Sequence, residues 1–198
     1  MKVLIACEYS GRVREEFRKL GHDAWSCDLL ESEDKSPYHI VGDCLSLLGD
    51  GWDLMIAHPP CTRLANSGVR WLHERDLWSE LDDAVAFYLA LRNAPIERKC
   101  LENPVMHKYA RERLGEVPRQ VVQPWWFGDP TFKATGYELH GLHELVPTDK
   151  LTPPPVGTEE HKAWSWIHRC LPGPERWKIR SRTPHGIARA MAQQWGVE

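Results

Sequence analysis

The chain has 198 residues, 42% of them hydrophobic and 27% charged, with a formal net charge of −3. That length can bury one sizeable core, and the mildly acidic balance argues against broad coating of nucleic acid while leaving room for a local basic face. No apolar run approaches the roughly 20 residues that cross a bilayer. The opening Met1-Lys2-Val3-Leu4-Ile5-Ala6 reads as a strand rather than a secretion signal. Cys7, Cys27, Cys44, Cys61, Cys100 and Cys170 are scattered without metal-ligand or disulfide spacing. Reduced thiols in a cytoplasmic protein are therefore expected, with no metal.

Apolar runs then alternate with helical segments. Val3 to Cys7 reads as a first strand, and Arg12 to Leu20 as a helix with Val13, Phe17 and Leu20 at helical spacing and Gly21 as its stop. His22 to Cys27 and His39 to Val41 read as the second and third strands, and Asp53 to Ala57 as a fourth, buried on both faces. A helix from about Leu77 to Arg92 follows, then a fifth strand, Lys99 to Glu102. Gln120 to Gln123 and Tyr137 to His140 are weaker candidates for a closing β pair. Val146 to Lys178, rich in Pro and Gly, reads as a long excursion before a last helix, Ile187 to Trp195. Alternation of this kind predicts an α/β fold: a Rossmann-like, doubly wound, mostly parallel sheet in one domain over residues 1–198, with its site beyond the carboxyl ends of the strands.

Polar residues gather at those ends. Glu8-Tyr9-Ser10-Gly11 follows the first strand, Asp28 the second, Asp43 the third, His58-Pro59-Pro60-Cys61 the fourth and Glu102-Asn103-Pro104 the fifth. Singly, Ser10 and Asp28 read equally well as helix caps, Asp43 as a turn residue and Glu102 as a solvated carboxylate. Together they define one rim. An acid after the second strand suits a ribose diol, and a helix N-terminus after the first suits a carboxylate or phosphate. Two prolines and a strand end aim Cys61 into the same crevice, which makes it a candidate nucleophile rather than a core thiol.

In this order the motifs resemble the catalytic domain of the DNA (cytosine-5)-methyltransferases, in the small form often found in phage and prophage genomes. Pro59-Pro60-Cys61 resembles the family's catalytic motif and Glu102-Asn103-Pro104 its Glu-Asn-Val; Arg182-Thr183-Pro184-His185-Gly186-Ile187-Ala188 resembles its final motif. The resemblance implies an S-adenosylmethionine-dependent methyltransferase fold with an antiparallel strand. It also implies that Glu8, Tyr9, Ser10, Gly11, Asp28, Asp43 and Pro59 hold S-adenosylmethionine, and that Cys61, Glu102 and Asn103 are catalytic. Cys61 would add to cytosine carbon-6, Glu102 would contact or protonate the ring nitrogen at position three, and Asn103 would fix the loop. His58 and Pro60 would line the base pocket, and Arg70, Lys133, Arg180 and Arg182 would meet the DNA. If phage-encoded, the protein would work in the cytoplasm of a bacterial host cell.

The chain departs from the family pattern in three places. Arg12 and Val13 replace the second glycine and its neighbour in the first motif. Gln123-Pro124-Trp125-Trp126-Phe127 lacks the arginines of the family's Gln-x-Arg-x-Arg strand, leaving Lys133 as the nearest cation. Residues 145–178 stand where the family carries a target-recognition domain, and are too few for one. Base-edge readout of a long site is then not expected, and a partner protein or a second copy is a possible source of recognition. Arg169, Arg176, Lys178, Arg180 and Arg182, interleaved with Trp164, Trp166 and Trp177, read either as a face for short or single-stranded DNA or as a solvated basic face over packed tryptophans. Thr62 to Trp71, with Asn66-Ser67-Gly68, reads as a mobile lid or an ordinary surface loop. Two rival functions stay open: an enzyme on the same scaffold acting on a nucleotide or another base, and a non-catalytic relative that binds cofactor or DNA.

Overall fold

Residues 1–115 and 118–197 are described here from a computed structural model. Among the described residues seven strands form one sheet: β1 (Lys2–Ala6), β2 (Asp23–Asp28), β3 (His39–Val41), β4 (Leu54–Ala57), β5 (Arg98–Asn103), β6 (Gln120–Val122) and β7 (Thr135–His140). Their spatial order is β3-β2-β1-β4-β5-β7-β6. The first five strands pair in parallel, and β7 runs antiparallel to both β5 and β6. The expected Rossmann-like, mostly parallel sheet with an antiparallel strand is therefore present. The weak sixth and seventh strand candidates are its closing pair.

The helices are α1 (Arg12–Lys19), α2 (Val69–Glu74), α3 (Trp78–Arg92), α4 (Lys108–Leu114), α5 (Glu159–Trp164), α6 (Trp166–Arg169), α7 (Arg176–Ser181) and α8 (His185–Trp195). Among the described residues no helix is long and apolar enough to cross a membrane. Successive side chains of a strand point to opposite faces, so β1 and β4 divide their apolar residues between two cores. Leu4, Ala6, Met55 and Ala57 meet Leu81, Val85, Tyr88 and Leu91 of α3 and Ala110 and Leu114 of α4. Val3, Ile5, Leu54 and Ile56 meet Val13 and Phe17 of α1 and Ile187, Met191 and Trp195 of α8. Both faces are covered, which is why β4 reads as a continuous apolar run.

Two local details set the rim. At the start of α8, Gly186 donates its amide to Asp129 Oδ2 at 2.7 Å, and a Cβ there would lie 1.8 Å from the Phe127 carbonyl oxygen. Only glycine lets the helix begin against that backbone. In α1 the fully buried Arg14 reaches Ser26 Oγ on β2 at 2.7 Å and pairs with Asp34, tying the helix to the segment after β2. The Pro/Gly-rich excursion is not featureless, because it carries the short helices α5, α6 and α7. Thr158 caps α5 by accepting the His161 amide at 3.1 Å.

Candidate active site at the switch point of the sheet

From β1 the strand order runs one way to β2 and β3, and the other way to β4 and β5. A crevice opens at such a reversal, beyond the carboxyl ends of the two central strands. Here it is lined by Cys7, Glu8, Tyr9 and Ser10 after β1, Asp28 at the end of β2, and His58 after β4. Ser181 and Thr183, around the end of α7, close its far side.

Glu8 is buried, and its carboxylate accepts the amides of Val13 at 2.8 Å and Arg14 at 3.3 Å. It therefore neutralises the first turn of α1, where a negative charge is favoured. Ser10 donates to the same carboxylate at 3.3 Å. Gly11 stands in the left-handed region with φ +70, and a Cβ there would meet the Arg14 guanidinium at 2.3 Å. Tyr9 donates its hydroxyl to the Lys178 carbonyl at 2.6 Å and sets its ring 5.9 Å from that of Trp177. Burial pushes the Tyr9 phenol up. The α7 segment is thus strapped across the crevice through Tyr9. Arg12, which donates to the Thr183 carbonyl at 3.0 Å, adds a second tie.

Asp28 accepts the Leu30 amide through Oδ1 at 3.0 Å and lines the crevice. Asp43 accepts the Leu45 amide at 2.9 Å and begins a 3₁₀ turn, Cys44–Leu47. It caps that turn, where the sequence suggested a turn residue or an acid of the rim. Cys7, not singled out by the sequence reading, has φ 59 and a sulfur 3.7 Å from that of Cys44. Its signal was its place immediately after the first strand. All six cysteines are free thiols.

The second half of the rim comes from the ends of β4 and β5. His58 holds its amide on the Ala6 carbonyl at 2.9 Å, and its Nδ1 lies 2.5 Å from Glu102 Oε2. Both side chains are about nine-tenths buried. Burial by itself would raise the Glu102 carboxyl, but the imidazole and Lys133 bring it below the ordinary carboxylate range. Burial likewise opposes a charged His58, and Glu102 and Glu8 overcome it, so His58 titrates above the ordinary histidine range. Glu102 is therefore an ion-paired carboxylate, not a solvated one. Asn103 donates its side-chain amide to the Pro59 carbonyl at 3.3 Å, clamping the Pro59-Pro60 turn to β5.

Cys61 is half-buried, and its carbonyl accepts the amides of Leu64 and Ala65 at 3.0 and 2.9 Å. Burial and the Glu102 carboxylate raise its thiol pKa, while Lys133 and Arg180 pull it down. Lys133 also donates to the Arg182 carbonyl at 3.2 Å. Arg182 itself pairs with Glu33, its Nε lying 3.0 Å from Oε2. Arg70 pairs with Glu74 of its own helix at 2.5 Å. The segment after Cys61, read from sequence as a lid or a loop, is pinned at its start. Asn66 and His107 donate their amides to the Val105 and Leu64 carbonyls, and a Cβ on Gly68 would lie 2.2 Å from the Thr62 carbonyl oxygen. Of the interleaved tryptophans, Trp164 is buried against Phe132, whereas Trp177 stays half-exposed beside Tyr9.

No family model and no curated protein matches the sequence. Among solved structures, the chain is similar to a candidate DNA modification methyltransferase encoded within an E. coli prophage, with TM-score 0.49 and 15% identity over 75% of this chain and 51% of that one. It is also similar to the Entamoeba histolytica methyltransferase EhMeth, with TM-score 0.51 and 12% identity over 75% of this chain and 57% of that one. The chain thus spans little more than half the length of either structure. At such identity the second likeness is one of fold, and it agrees with the strand order: the chain has a Rossmann-like methyltransferase fold.

Proposed function

We propose that this chain is an S-adenosylmethionine-dependent methyltransferase that methylates carbon-5 of cytosine in DNA through a covalent adduct of Cys61. One observation carries the reading. The Pro-Pro-Cys61 segment and the buried Glu102 stand past the ends of the adjacent parallel strands β4 and β5, joined by the His58–Glu102 pair at 2.5 Å and the Asn103–Pro59 hydrogen bond at 3.3 Å, beside a polar crevice at the switch point of the sheet. A thiol and a buried acid in that relation suit addition to a pyrimidine ring better than stacking or simple binding.

The crevice residues fit the cofactor. Asp28 uses one carboxylate oxygen on Leu30, leaving the other for a diol. Glu8 acts indirectly, by holding the turn that lets backbone amides near Ser10 and Gly11 approach a ligand. Tyr9 carries the α7 strap, Pro59 forms the turn between the two halves of the rim, and Asp43 shapes the 3₁₀ turn beside them. S-adenosylmethionine bound there would supply an electrophilic methyl group. Asp28→Ala is expected to weaken its binding roughly tenfold or more by isothermal titration, the scale of a lost hydrogen bond to a charged group. Unchanged affinity would remove Asp28 from the site.

On the substrate side, Cys61 adds to carbon-6, which breaks aromaticity and makes carbon-5 nucleophilic. Lys133 and Arg180 favour the thiolate, and as cations they suit a phosphate of the substrate. Glu102 faces the ring nitrogen at position three, Asn103 holds the Pro-Pro-Cys turn, and Pro60 walls the base pocket. Arg182 and Arg70 reach DNA only by leaving Glu33 and Glu74. A base in a duplex must leave the stack to reach Cys61, so short or single-stranded DNA is the favoured substrate. Labelled methyl transfer, compared between DNA and free nucleotides, tests the reading. Label in nucleotides alone makes the chain a nucleotide enzyme, and donor binding without transfer makes it a non-catalytic relative.

A further inference from the structure

We propose that His58 is a positioning residue that stores the proton Glu102 delivers to the cytosine ring nitrogen and later takes back. The inference rests on the proposed cytosine chemistry and deepens it.

An ionised carboxylate and the ring nitrogen at position three are both hydrogen-bond acceptors, so they repel unless a proton lies between them. In the resting site Oε2 lies 2.5 Å from His58 Nδ1, and this contact holds the Glu102 carboxyl below the ordinary carboxylate range and raises the imidazole, so the proton rests on His58. The histidine ring is nine-tenths buried, and its other nitrogen, Nε2, is buried with no hydrogen-bond partner among the described residues. Among the described residues Glu102 is therefore the one hydrogen-bond partner of the ring. The charges facing it are Glu102 from β5, Glu8 after β1 and Lys133 ahead of β7, with Asp28 at the end of β2 lining the same crevice. The two glutamates outweigh burial and Lys133, which keeps a proton on the pair beyond the ordinary histidine range.

The path balances. As the Cys61 thiolate forms its bond to carbon-6, the ring electron pair moves to the nitrogen at position three. Nδ1 of His58 passes its proton to Glu102, and the carboxylic acid so formed gives that proton to the ring nitrogen, leaving Glu102 ionised and His58 neutral. After carbon-5 has been methylated, its own proton leaves to solvent. The carbon–sulfur bond then breaks, the thiolate departs, and the ring proton returns through Glu102 to Nδ1. The proton is borrowed, and no oxidant or co-reactant is consumed.

The pH dependence carries the test. Activity needs a thiolate and a loaded His58–Glu102 pair at once. With a thiol pKa above that of the pair, the wild-type rate climbs with pH while thiolate accumulates, then levels off at the His58 pKa. Beyond it, each gain in thiolate is matched by a loss of imidazolium. In His58→Gln only the Glu102 carboxyl can hold the proton. The break should then move down towards the carboxylate range, leaving a flat profile between about pH 6 and 8 and a rate lower by roughly tenfold or more. The reaction is followed as release of tritium from carbon-5 of cytosine in DNA and as methyl transfer. In parallel, ¹⁵N-histidine NMR of the whole chain without ligand should find His58 titrating above the ordinary range, and at or below it in Glu102→Gln. A uniform loss in His58→Gln with the break unmoved overturns the proposal, as does an unchanged His58 titration in Glu102→Gln. A wild-type protein that neither releases tritium nor transfers methyl overturns the cytosine reading itself, which is a different result.

Discussion

Cys61→Ala is expected to lose methyl transfer to DNA by about 10⁴-fold or more, the scale seen when an enzyme loses its nucleophile. Cys61→Ser should do little better, because a hydroxyl in the same surroundings is far harder to ionise than a thiol already raised by burial and by Glu102. The loss should fall on chemistry and not on donor binding, since the crevice is lined by Cys7, Glu8, Tyr9, Ser10, Asp28 and His58 without Cys61. Calorimetric affinity for the donor is therefore expected within about twofold of wild type, too small a change to register a lost hydrogen bond. DNA carrying 5-fluorocytosine gives the direct readout. Fluorine cannot leave as a proton does, so elimination stalls and a covalent complex survives denaturing electrophoresis with Cys61 present and not with alanine. Substantial transfer by Cys61→Ala would mean that the ring is not attacked by this sulfur.

Glu138→Ala is expected to cost about 3–5 kcal/mol, a large part of the margin of an ordinary domain. Glu138 lies on β7 and is fully buried. Its carboxylate accepts from Arg92 Nη2 at 2.9 Å, the Tyr88 hydroxyl at 3.0 Å, Arg119 Nη2 at 3.3 Å and His140 Nε2 at 3.0 Å. Alanine would strand two mostly buried guanidiniums and leave Tyr88 without its acceptor. The urea midpoint should fall with an unchanged slope. Burial disfavours the Glu138 charge, but Arg92 and His140 overcome it and hold the carboxyl below the ordinary value of 4.5. A depressed carboxyl stabilises the fold above its unfolded pKa, and that contribution is lost as pH falls through the lower folded value. The gap between wild type and Glu138→Ala should accordingly be full at neutral pH and shrink in strong acid. A gap that persists unchanged there would assign the cost to lost contacts rather than to charge.

The pH dependence of the His58–Glu102 pair has two signs. Glu102, depressed, adds stability above the ordinary carboxylate range that is lost in acid. His58, raised, adds stability below the ordinary histidine range that is lost as pH rises through its folded pKa. The pair is therefore a stabilising contact between those limits, and the same window keeps a proton ready beside Glu102.

Local chemistry made much of the fold legible from the chain alone. The apolar runs of β1 and β4 had to be strands buried on both faces. The Val13 and Phe17 spacing, stopped by Gly21, had to be a helix, and alternation of the two implied a parallel sheet with its site past the strand ends. The Pro-Pro-Cys and Glu-Asn motifs were visible because their residues are contiguous. Tertiary structure decided the rest, since it depends on neighbours that sequence keeps apart. His58 and Glu102 are 44 positions apart and meet only because β4 and β5 pair in parallel and end at the same edge. That pairing turns a carboxylate that could have been solvated into one half of a buried ion pair. Glu8 and Asp43 became caps because backbone amides lay within their reach, while Arg70 and Arg182 were taken by Glu74 and Glu33. Lys133 and Arg180 lower the Cys61 thiol pKa from distant parts of the chain, and Tyr9 straps α7, which carries Arg180, across the crevice. Composition and spacing determine which residues can do chemistry; burial and the partner across the sheet decide which charge state each one keeps.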